Sequence, residues 1–489
     1  MTSSVLENEA PFGLNHGPHL IGEFAPVTDE LVLEDLPVEG EIPKDLNGVY
    51  LRNGPNPRFE PKGTHHLFDG DGMVHAGEFR NGKFTYRNKY IRTSDLQKKE
   101  DAGEEVFWGV MSSVKDSIDR PMADAANTDI IGHAGKAVAN WYLSGIPHII
   151  DPITLETIKA APEYVSGLGN AMSAHCKVDE FTGEMMYFDY FTQKPHMSYG
   201  VVNAQGKLVH HVPIELPGDR LMHDVGITQN YTILHDVPVF HDEDALAAGR
   251  HKIVFDASLK MRFGVIPRHG ASDSIKWFDF SPCFVYHVVN CWEEGDEVIQ
   301  IACRYMPAKK ADGSIDEERT AKMIGGLVMD ARLWRYSMNL KTGEAKEECL
   351  NDQYNVEFPS YASELTGRRT QWGYFVDHDP KILRWIGVRK MNLDTGESAG
   401  DWSDDHDHCW YSEPWFAAAD NPTSEDHGYL VAFCWNDNTL VQELQVFDAR
   451  NISAGPVTRI KLPRRVPPGF HGCWMKPNQI NGWYKSGAA

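Results

Sequence analysis

Short segments in which apolar and polar residues alternate follow one another along most of this chain. β-Branched and aromatic residues are concentrated in them, as is typical of strands that bury one face. The pattern is clearest in GVYLRN, GKFTYRNKYIRT, EMMYFDYF, KLVHHVPI, YTILHDVPVF, EVIQIACRYM, ARLWRYSMNL, WGYFVDH, ILRWIGVRKMNL, GYLVAFCW and TLVQELQVFDA. The alternation predicts an all-β protein.

Turn signals separate these segments. A glycine that follows Asn, Thr, Gln or Glu occupies six short connections, at 80–83, 181–184, 204–207, 293–296, 341–344 and 394–397. Glycine reaches left-handed backbone conformations without a steric penalty, and tight β-hairpin turns require such conformations. The chain is therefore predicted to run as a succession of hairpins.

The length of the chain helps to choose among all-β architectures. Sheets must be closed or have their edges covered, and 489 residues exceed what one sandwich or small barrel accommodates. A β-propeller of about seven four-stranded blades fits this length. No repeat of fixed period is visible, so the pattern itself does not determine the number of blades. Two segments, 95–116 and 313–330, have helical character and are expected as inserts on one face.

We predict a short N-terminal extension, residues 1–28, followed by a single propeller domain, residues 29–489. The first thirty residues lack the apolar core of a signal peptide, and no later stretch approaches about 18 uninterrupted apolar residues. We therefore expect a cytoplasmic protein without a membrane span. The segment 104–114 is the candidate for a peripheral contact with a membrane, and a buried helix accounts for it equally well.

Charge and cysteine usage narrow the function further. The chain has 47 basic and 70 acidic residues, a net charge of -23, and no long basic run, so we expect no nucleic-acid partner. Its cysteines are scattered singly without a CxxC pair, as is typical of buried free thiols in a reducing compartment. They are Cys176, Cys283, Cys291, Cys303, Cys349, Cys409, Cys434 and Cys473.

Four histidines in four separated strand-like segments are the candidate metal ligands: His175, His223, His287 and His471. Their spacing is about one, one and three blade lengths, and residues at matching places in different blades approach the axis of a propeller. Neutral imidazoles without a carboxylate suit non-haem iron, with positions left open for oxygen and a substrate. Because the chain has 22 histidines, a chance set of partly buried rings is the alternative.

Other histidines are less informative. His65 and His66 in THHLFDGDGM lie near a turn, and a structural or a pocket-lining role fits them. The cluster DDHDHC, with His406, His408 and Cys409, has zinc-like chemistry. Its acidic neighbours indicate a solvated loop, and its set of ligands is incomplete.

A series of longer motifs, from about residue 30 to 475, resembles the carotenoid cleavage oxygenase family, which also includes stilbene-cleaving and isoeugenol-cleaving bacterial enzymes. The motifs are EIPKDLNGVYLRNGPNP, FDGDGMVHA, AANTDIIGHAGK, DPITLET, SAHCKVDEFTGEM, MHDVGITQNY, PCFVYHVVNCWEEGD, VEFPS, SEPWF and KLPRRVPPGFHGCW. The resemblance implies a seven-bladed β-propeller with a dome of helices and loops over an axial Fe(II). The four histidines match the iron ligands of the family position by position.

The resemblance also implies carboxylates behind the ligands. Glu357 and Glu413 match glutamates that fix the second ring nitrogen of a ligating histidine, and an ordinary glutamate at a strand edge is the alternative. A third glutamate of the family is missing, because Tyr142 or Leu143 occupies its position. Water or a backbone carbonyl is then expected to orient one of the early ligands, for which we favour His223.

The function implied by the resemblance is oxidative cleavage of a C=C bond into two carbonyl products by O₂, without a catalytic residue beyond the metal site. No GxGxxG fingerprint occurs in a βαβ setting, so we expect no flavin or nicotinamide cofactor. The favoured substrate is a carotenoid or apocarotenoid. The alternatives are an aryl alkene of the lignostilbene, resveratrol or isoeugenol type, an isomerase on the same scaffold, and a binding scaffold without metal.

Substrate class depends on residues near these motifs. Relatives that cleave phenols commonly carry a Lys-Glu pair after HAGK, whereas this chain carries Trp141 and Tyr142 there, which favours an extended apolar polyene. Lys136 is a candidate to meet a phenolate, and a solvent-facing lysine is its alternative. Phe59 and Phe284 are candidate walls of the substrate tunnel, and a role in the propeller core fits them equally well.

Overall fold

The computed structural model of the protein describes residues 12, 16–112, 122–165, 171–248, 252–328 and 330–484. Strands, numbered β1 to β33 in chain order, dominate these residues. The described part contains three α-helices: α1 (Ser94–Ala102), α2 (Glu243–Ala247) and α3 (Glu317–Gly325). Short 3₁₀ helices cover Pro18–Leu20, Gly22–Phe24, Leu67–Asp69, Pro162–Tyr164, Ser272–Ser274, Ser363–Leu365, Ile452–Ala454 and Pro477–Gln479.

The chain divides into two compact units, and the first consists of residues 1–161, 249–251 and 402–489. Its strands form three antiparallel sheets, ordered β1-β5-β4-β3-β33, β2-β32-β31-β30-β28 with β29 beside β30, and β6-β7-β8-β9. The strands are β1 (Val32–Leu33), β2 (Val38–Gly40), β3 (Gly48–Pro55), β4 (Gly72–Arg80), β5 (Lys83–Tyr90), β6 (Asp129–His133), β7 (Lys136–Asn140), β8 (His148–Ile150), β9 (Thr157–Ala160), β28 (Cys409–Tyr411), β29 (Trp415–Ala418), β30 (Gly428–Asn436), β31 (Val441–Asp448), β32 (Thr458–Leu462) and β33 (Gly472–Met475).

The second unit consists of residues 162–248 and 252–401. Its four antiparallel sheets are β10 to β13, β14-β15-β18-β19, β20 to β23 and β24 to β27, and β16 pairs with β17 in a small ribbon. The strands are β10 (Lys177–Asp179), β11 (Glu184–Tyr190), β12 (His196–Val202), β13 (Leu208–Glu215), β14 (Gly226–Ile227), β15 (Tyr231–Asp236), β16 (Val239–His241), β17 (Ile253–Phe255), β18 (Met261–Pro267), β19 (Lys276–Phe280), β20 (Phe284–Glu294), β21 (Glu297–Tyr305), β22 (Ala331–Asn339), β23 (Ala345–Asn351), β24 (Val356–Ser360), β25 (Trp372–His378), β26 (Trp385–Asn392) and β27 (Ser398–Trp402).

Three large sheets in the first unit and four in the second are the blades of a seven-bladed β-propeller, which confirms the predicted fold class. Two blades of the first unit combine strands from both ends of the chain, since β33 pairs with β3 and β32 pairs with β2. Backbone hydrogen bonds therefore hold both ends of the propeller domain in shared sheets.

Burial follows the alternation seen in the sequence. In β5, successive residues alternate between buried and partly exposed, whereas β3 and the first nine residues of β20 are buried on both faces. Strands buried on both faces supply the apolar clusters, such as Leu51 and Met475 in the first unit and Val289 and Trp292 in the second. Burial of these side chains, about 1.5–3 kcal/mol for each large one, is the main stabilising contribution of the sheets.

The predicted hairpin turns are confirmed, and the predicted helices are too long. Asn81 and Gly82, with φ of 53° and 74°, connect the paired residues Arg80 and Lys83. Helix α1 ends at Ala102 because Gly103, with φ of 71°, turns its N–H back onto carbonyls of the last turn. Residues 104–112 are not helical and 113–116 lie outside the described residues, while α3 covers only the middle of 313–330.

All eight cysteines lie in the described residues and are free, and each except Cys349 is buried, as predicted. In the described residues no helix has the length and apolar character needed to cross a membrane. In the candidate membrane segment Met111 is exposed and residues 106–110 are half-buried, while 113 and 114 lie outside the described residues. Peripheral membrane contact, a cytoplasmic location and the boundary at residue 28 stay predictions.

The pairing of β2 with β32 gives a test of how the chain ends are held. At Gly40 a side-chain Cβ would lie 2.2 Å from the carbonyl oxygen of Val457, and φ is +81°. Gly295 has a similar φ of +64°, and a Cβ there meets no described atom within 4 Å. We expect Gly40→Ala to lower the free energy of unfolding by about 1–3 kcal/mol more than Gly295→Ala, because only Gly40→Ala forces two strands apart.

Urea unfolding of the two variants, followed by tryptophan fluorescence, measures this difference. Since both substitutions impose a left-handed conformation on alanine, that cost is largely common to the two variants. Equal losses of stability would contradict the role assigned to the β2 and β32 pairing.

Candidate metal centre

Three of the predicted ligands occupy equivalent places in three consecutive blades of the second unit. His175 and His223 lie just before the first strands, β10 and β14, of their sheets, and His287 lies in the first strand, β20, of the next sheet. Their exposed fractions are 5%, 8% and 3%. The regular order of blades thus brings together three residues that are far apart in the sequence.

The three rings form a tight cluster. The Nε2 atoms of His175 and His223 are 3.1 Å apart, and one ring nitrogen of each of the three histidines lies within 4.8 Å of the other two. Ring centroids are 4.6 Å apart for His175 and His223, and 5.1 Å and 5.3 Å from these two rings to His287. Nitrogen donors that converge at such distances fit a divalent transition metal, and neutral imidazole is poorly suited to Ca²⁺ or Mg²⁺.

A buried carboxylate fixes the ring of His287. Its Nδ1 donates a hydrogen bond to Oε2 of Glu357, which has no exposed surface. The same oxygen accepts the N–H of Phe358 at 3.0 Å. Because Nδ1 carries the proton, the lone pair of His287 is on Nε2, as required of a metal ligand.

Asp224 links the three ligand segments. Its Oδ1 accepts hydrogen bonds from Lys177 Nζ at 2.6 Å and from the N–H of Val225 at 2.7 Å, and its Oδ2 accepts the N–H of Val288 at 2.7 Å. Lys177 follows His175 by two residues, Asp224 follows His223 directly, and Val288 follows His287 directly. One buried carboxylate therefore sets the mutual position of three backbone segments, a role that the sequence alone does not reveal.

The backbone at this centre adopts costly conformations. His175 and Phe358 have φ of 68° and 50°, in the left-handed region of the backbone that residues other than glycine rarely adopt. Each such residue costs on the order of 1–3 kcal/mol and persists only where the surroundings enforce it. Such outliers concentrate at functional sites. His175 belongs to the cluster, and the ring of Phe358 lies 5.0 Å from that of His287.

In the first unit, His471 repeats the arrangement seen at His287. It directly precedes β33, is 6% exposed, and its Nδ1 donates to Oε1 of Glu413 at 3.0 Å. Oε2 of Glu413 accepts the N–H of Gly472 at 2.6 Å and the indole N–H of Trp415 at 2.8 Å. Here too a buried glutamate holds the ring and the neighbouring backbone, and it leaves the lone pair of the ring on Nε2.

A sequence model described as retinal pigment epithelial membrane protein matches residues 24–476, nearly the whole chain. The chain belongs to the carotenoid cleavage oxygenase family. It is 33% identical to carotenoid 9,10(9',10')-cleavage dioxygenase of Crocus sativus over 94% of this chain and 90% of that protein. It is 29% identical to isoeugenol monooxygenase of Pseudomonas nitroreducens, over 94% and 98% of the two chains.

Solved structures support the same assignment. The lignostilbene dioxygenase of Pseudomonas brassicacearum superposes with a TM-score of 0.83 at 26% identity, over 96% of this chain and all of that one. A cobalt-substituted apocarotenoid oxygenase of Synechocystis gives 0.80 at 25% identity, over 92% and 97%. The protein is therefore an alkene-cleaving dioxygenase of this non-haem iron family.

Tyr142, one of the two positions at which the sequence predicts that a family glutamate is missing, has an aromatic contact. The ring of Tyr142 lies 4.3 Å from that of Phe68. In the second unit, His223 meets the ring of Tyr286 edge-on at 4.9 Å, and the Tyr286 hydroxyl donates to the carbonyl of Ile324 at 2.7 Å. The packing of Tyr286 against His223 was not foreseen from the sequence, and orientation of His223 by water or a carbonyl stays a prediction.

The predicted substrate residues have different surroundings. Phe284 is buried and lies 4.8 Å from Tyr286, and so belongs to the aromatic wall beside His223. Trp141 is buried and lines a pocket in the first unit, whereas Phe59 is half-buried outside it. Lys136 donates to Oδ2 of Asp151 at 2.6 Å, and this ion pair occupies its ammonium. Their roles in binding stay predictions.

The zinc-like cluster of the sequence forms a different group. Cys409 is near Cys434 and Asp404, while Nδ1 of His408 is 2.7 Å from Asp437. Both carboxylate oxygens of Asp404 accept hydrogen bonds from Arg459, at 2.6 Å and 2.7 Å. This carboxylate is already neutralised, so the group is best described as part of an ion-pair network.

Replacement of the shared carboxylate tests the centre. We expect Asp224→Asn to weaken binding of Co²⁺ by about 10-fold or more, because the amide holds Lys177 and Val288 less strongly and the rings lose their relative position. Titration of the metal-depleted protein, followed by the absorption of bound cobalt, gives the affinity.

Asp242→Asn is the matched control. Asp242 also pairs with a lysine, Lys252, at 2.8 Å, but on the surface. Its variant is expected to bind cobalt as the wild type does. An Asp224→Asn protein that is folded and binds cobalt normally would refute the positioning role.

Proposed function

We propose that this protein is an Fe(II)-dependent dioxygenase that cleaves one C=C bond of a carotenoid or apocarotenoid into two carbonyl products. In this proposal a single iron is bound by four neutral histidines, His175, His223, His287 and His471, with Glu357 and Glu413 holding two of the rings. O₂ is the only co-substrate. The proposal goes beyond family membership in naming the metal, the ligands and the substrate.

The observation that carries the proposal is the His–Glu pair, which occurs once in each unit. In both pairs a buried glutamate accepts from Nδ1 of a histidine and also from the backbone N–H next in sequence to one of the two residues. This arrangement prepares Nε2 to bind a metal, and it is costly to build for any other purpose because it buries a carboxylate. All four histidines are buried and suited to hold a metal ion.

The reaction requires two things of the protein: it must position the metal and the substrate, and it must exclude water from the site. When bound, Fe(II) supplies the redox chemistry through which O₂ reacts with an alkene, and overall one C=C and one O₂ become two C=O groups, so no external reductant is needed. The histidines bring no negative charge to the centre. Aromatic residues such as Phe284 and Tyr286 exclude water beside the ligands. The dry surroundings favour binding of an apolar substrate, and they suppress side reactions with water.

Two observations support a polyene as the substrate. Trp141 and Tyr142 are aromatic where phenol-cleaving relatives commonly have a Lys-Glu pair, and Lys136 is held by Asp151. The relative from Crocus sativus, which is named for carotenoid cleavage, also covers nearly the full length of the chain.

Cleavage of an aryl alkene is the second candidate. It is favoured by the superposition with lignostilbene dioxygenase and by the match to isoeugenol monooxygenase along almost the entire chain. Both candidate reactions use the same iron chemistry. They differ in the substrate, which the residues around it select.

A substrate panel under labelled oxygen tests the reaction. We expect iron-loaded protein to cleave an apocarotenal faster than a hydroxystilbene, with one ¹⁸O atom in each of the two products when ¹⁸O₂ is supplied. Mass spectrometry of trapped products measures the label. Turnover without oxygen would instead support an isomerase, and a faster reaction of the stilbene would support the second candidate.

The two His–Glu pairs give a test of the ligand set. We expect Glu357→Gln and Glu413→Gln each to lower iron affinity by about 10–100-fold, because the amide replaces a charged acceptor by a neutral one. His287→Ala should lose nearly all activity. Iron content after dialysis against a graded chelator, together with turnover, measures these effects.

His269→Ala serves as a control, because that ring is half exposed and pairs with Glu184 on the surface. It is expected to keep one iron per chain. If Glu413→Gln retained normal iron affinity while Glu357→Gln did not, the proposed support of His471 by Glu413 would be refuted.

A further inference from the structure

A pocket in the first unit combines an aromatic wall with polar groups. Its cavity has a volume of about 30 Å³, and about 450 Å³ of empty space is reached only when the open mouth is included. Phe107, Trp108 and Trp141 supply aromatic surface, and His65, Lys99 and Glu105 supply polar atoms. A combination of aromatic surface and a few polar groups suits one end of a small organic ligand that extends through the mouth.

Aromatic rings connect this pocket with His471. Trp141 lines the pocket, and its neighbour Tyr142 places its ring 4.3 Å from that of Phe68. Phe68 in turn lies 5.3 Å from Phe470, the residue before His471. Residues next in sequence to Trp141 and to the proposed ligand His471 are therefore joined by two ring contacts through Phe68.

The charges around the pocket are compensated within the protein. Nζ of Lys99 donates to Asp71 at 2.7 Å and lies 2.9 Å from Glu105, and all three side chains are buried. Asp69 accepts the N–H groups of His66 and Val110 at 2.9 Å and 2.8 Å. Because these buried ions already have partners, the pocket favours a neutral ligand group over a carboxylate or phenolate.

Two buried polar groups of the pocket lack a partner among the described residues: the indole N–H of Trp141 and the ring of His65. Only His65 offers both a donor and an acceptor. It is only 5% exposed and lines the pocket, yet neither ring nitrogen has a hydrogen-bond partner among the described residues. Its backbone N–H bonds to the carbonyl of His16 at 2.8 Å, which fixes this segment. Burial lowers the pKa of His65 to about 3, so the ring is neutral near pH 7 and presents one donor and one acceptor.

A donor and an acceptor that line a pocket without a protein partner are available to a ligand. A hydroxyl group both donates and accepts, and it is neutral, so it complements a neutral imidazole in a pocket of compensated charge. A carbonyl oxygen on the ligand would complement only the ring N–H of His65. A carboxylate on the ligand would be repelled by the negative charge of Glu105.

We propose that His65 is a specificity-determining residue that hydrogen-bonds a neutral hydroxyl group on the terminal ring of the substrate. The proposal rests on the proposed function, since it assigns the binding of one end of the same substrate. The hydroxyl has two chemical sources, the ring hydroxyl of a hydroxylated apocarotenoid and the phenol of a hydroxystilbene.

The test compares matched substrates with and without the hydroxyl. One pair is an apocarotenal that carries a ring hydroxyl and the same apocarotenal without it, and the other pair is a hydroxystilbene and the corresponding stilbene. The measured quantity is the ratio of kcat/KM within each pair. Because the ratio is taken within one preparation, loss of iron or of folded protein cancels.

For wild-type protein we expect at least one pair to show about a 10-fold or greater preference for the hydroxylated member. His65→Phe should abolish most of that preference by reducing turnover of the hydroxylated member alone. His65→Gln, which keeps a donor and an acceptor, should restore part of it. His406→Phe, at an exposed histidine in the same unit, is the control and should leave the ratio unchanged.

The pair that responds identifies the source of the hydroxyl. A wild-type ratio near one in both pairs, or a ratio that His65→Phe leaves unchanged, would overturn the proposal. If no substrate is cleaved, the proposed function fails separately, and binding still decides the role of His65. Quenching of tryptophan fluorescence by a hydroxylated β-ionone and by β-ionone then replaces kcat/KM, with the same expected ratios and the same contrary outcomes.

Discussion

The hydrogen bond between a buried glutamate and Nδ1 of a histidine is the interaction on which the centre depends. A neutral imidazole can carry its proton on Nδ1 or on Nε2, and a proton fixed on Nδ1 leaves the lone pair of Nε2 free for a metal. Glu357 and Glu413 fix that proton for His287 and His471. Each also accepts a backbone N–H, so the carboxylate orients the ring and the strand that carries it.

Burial of these carboxylates is expensive, and the surrounding fold compensates for it. A carboxylate removed from water loses several kcal/mol of solvation unless its lone pairs are satisfied. Asp224 meets this requirement with a lysine and two backbone N–H groups, and Glu413 meets it with a histidine, an indole and a backbone N–H. The acids are therefore structural elements, and the ligand set itself stays uncharged.

Much of the fold was predictable from the chain, because alternation and turn glycines are local signals. Hairpins such as the one at Asn81 and Gly82 follow from backbone preferences alone. The predicted helices are longer than the observed ones because the segment after Gly103, EEVFWGVM, is compatible with a helix, and only packing decides that it is not one. The family motifs indicated the four histidines and two glutamates, and the structure shows three of these rings together.

Other features of the site could not be predicted, because they depend on contacts between distant segments. Asp224 is one aspartate among many in the sequence, and its importance lies in three hydrogen bonds to segments on both sides of it. His65 belongs to no motif that indicates a binding role, and only the structure shows that it lines a pocket without a side-chain hydrogen bond to the described residues. Tyr286 adjoins His223 through ring packing, for which no motif exists.

The blade that carries His471 has a consequence for the order of synthesis. Strand β3 leaves the ribosome long before its partner β33, because the other blades lie between them in the sequence. During translation the backbone groups of β3 that face β33 therefore stay without that partner until β33 is made. Under the proposed ligand set, a nascent chain holds three imidazoles long before the fourth, so iron can be fully coordinated only after His471 has been synthesised.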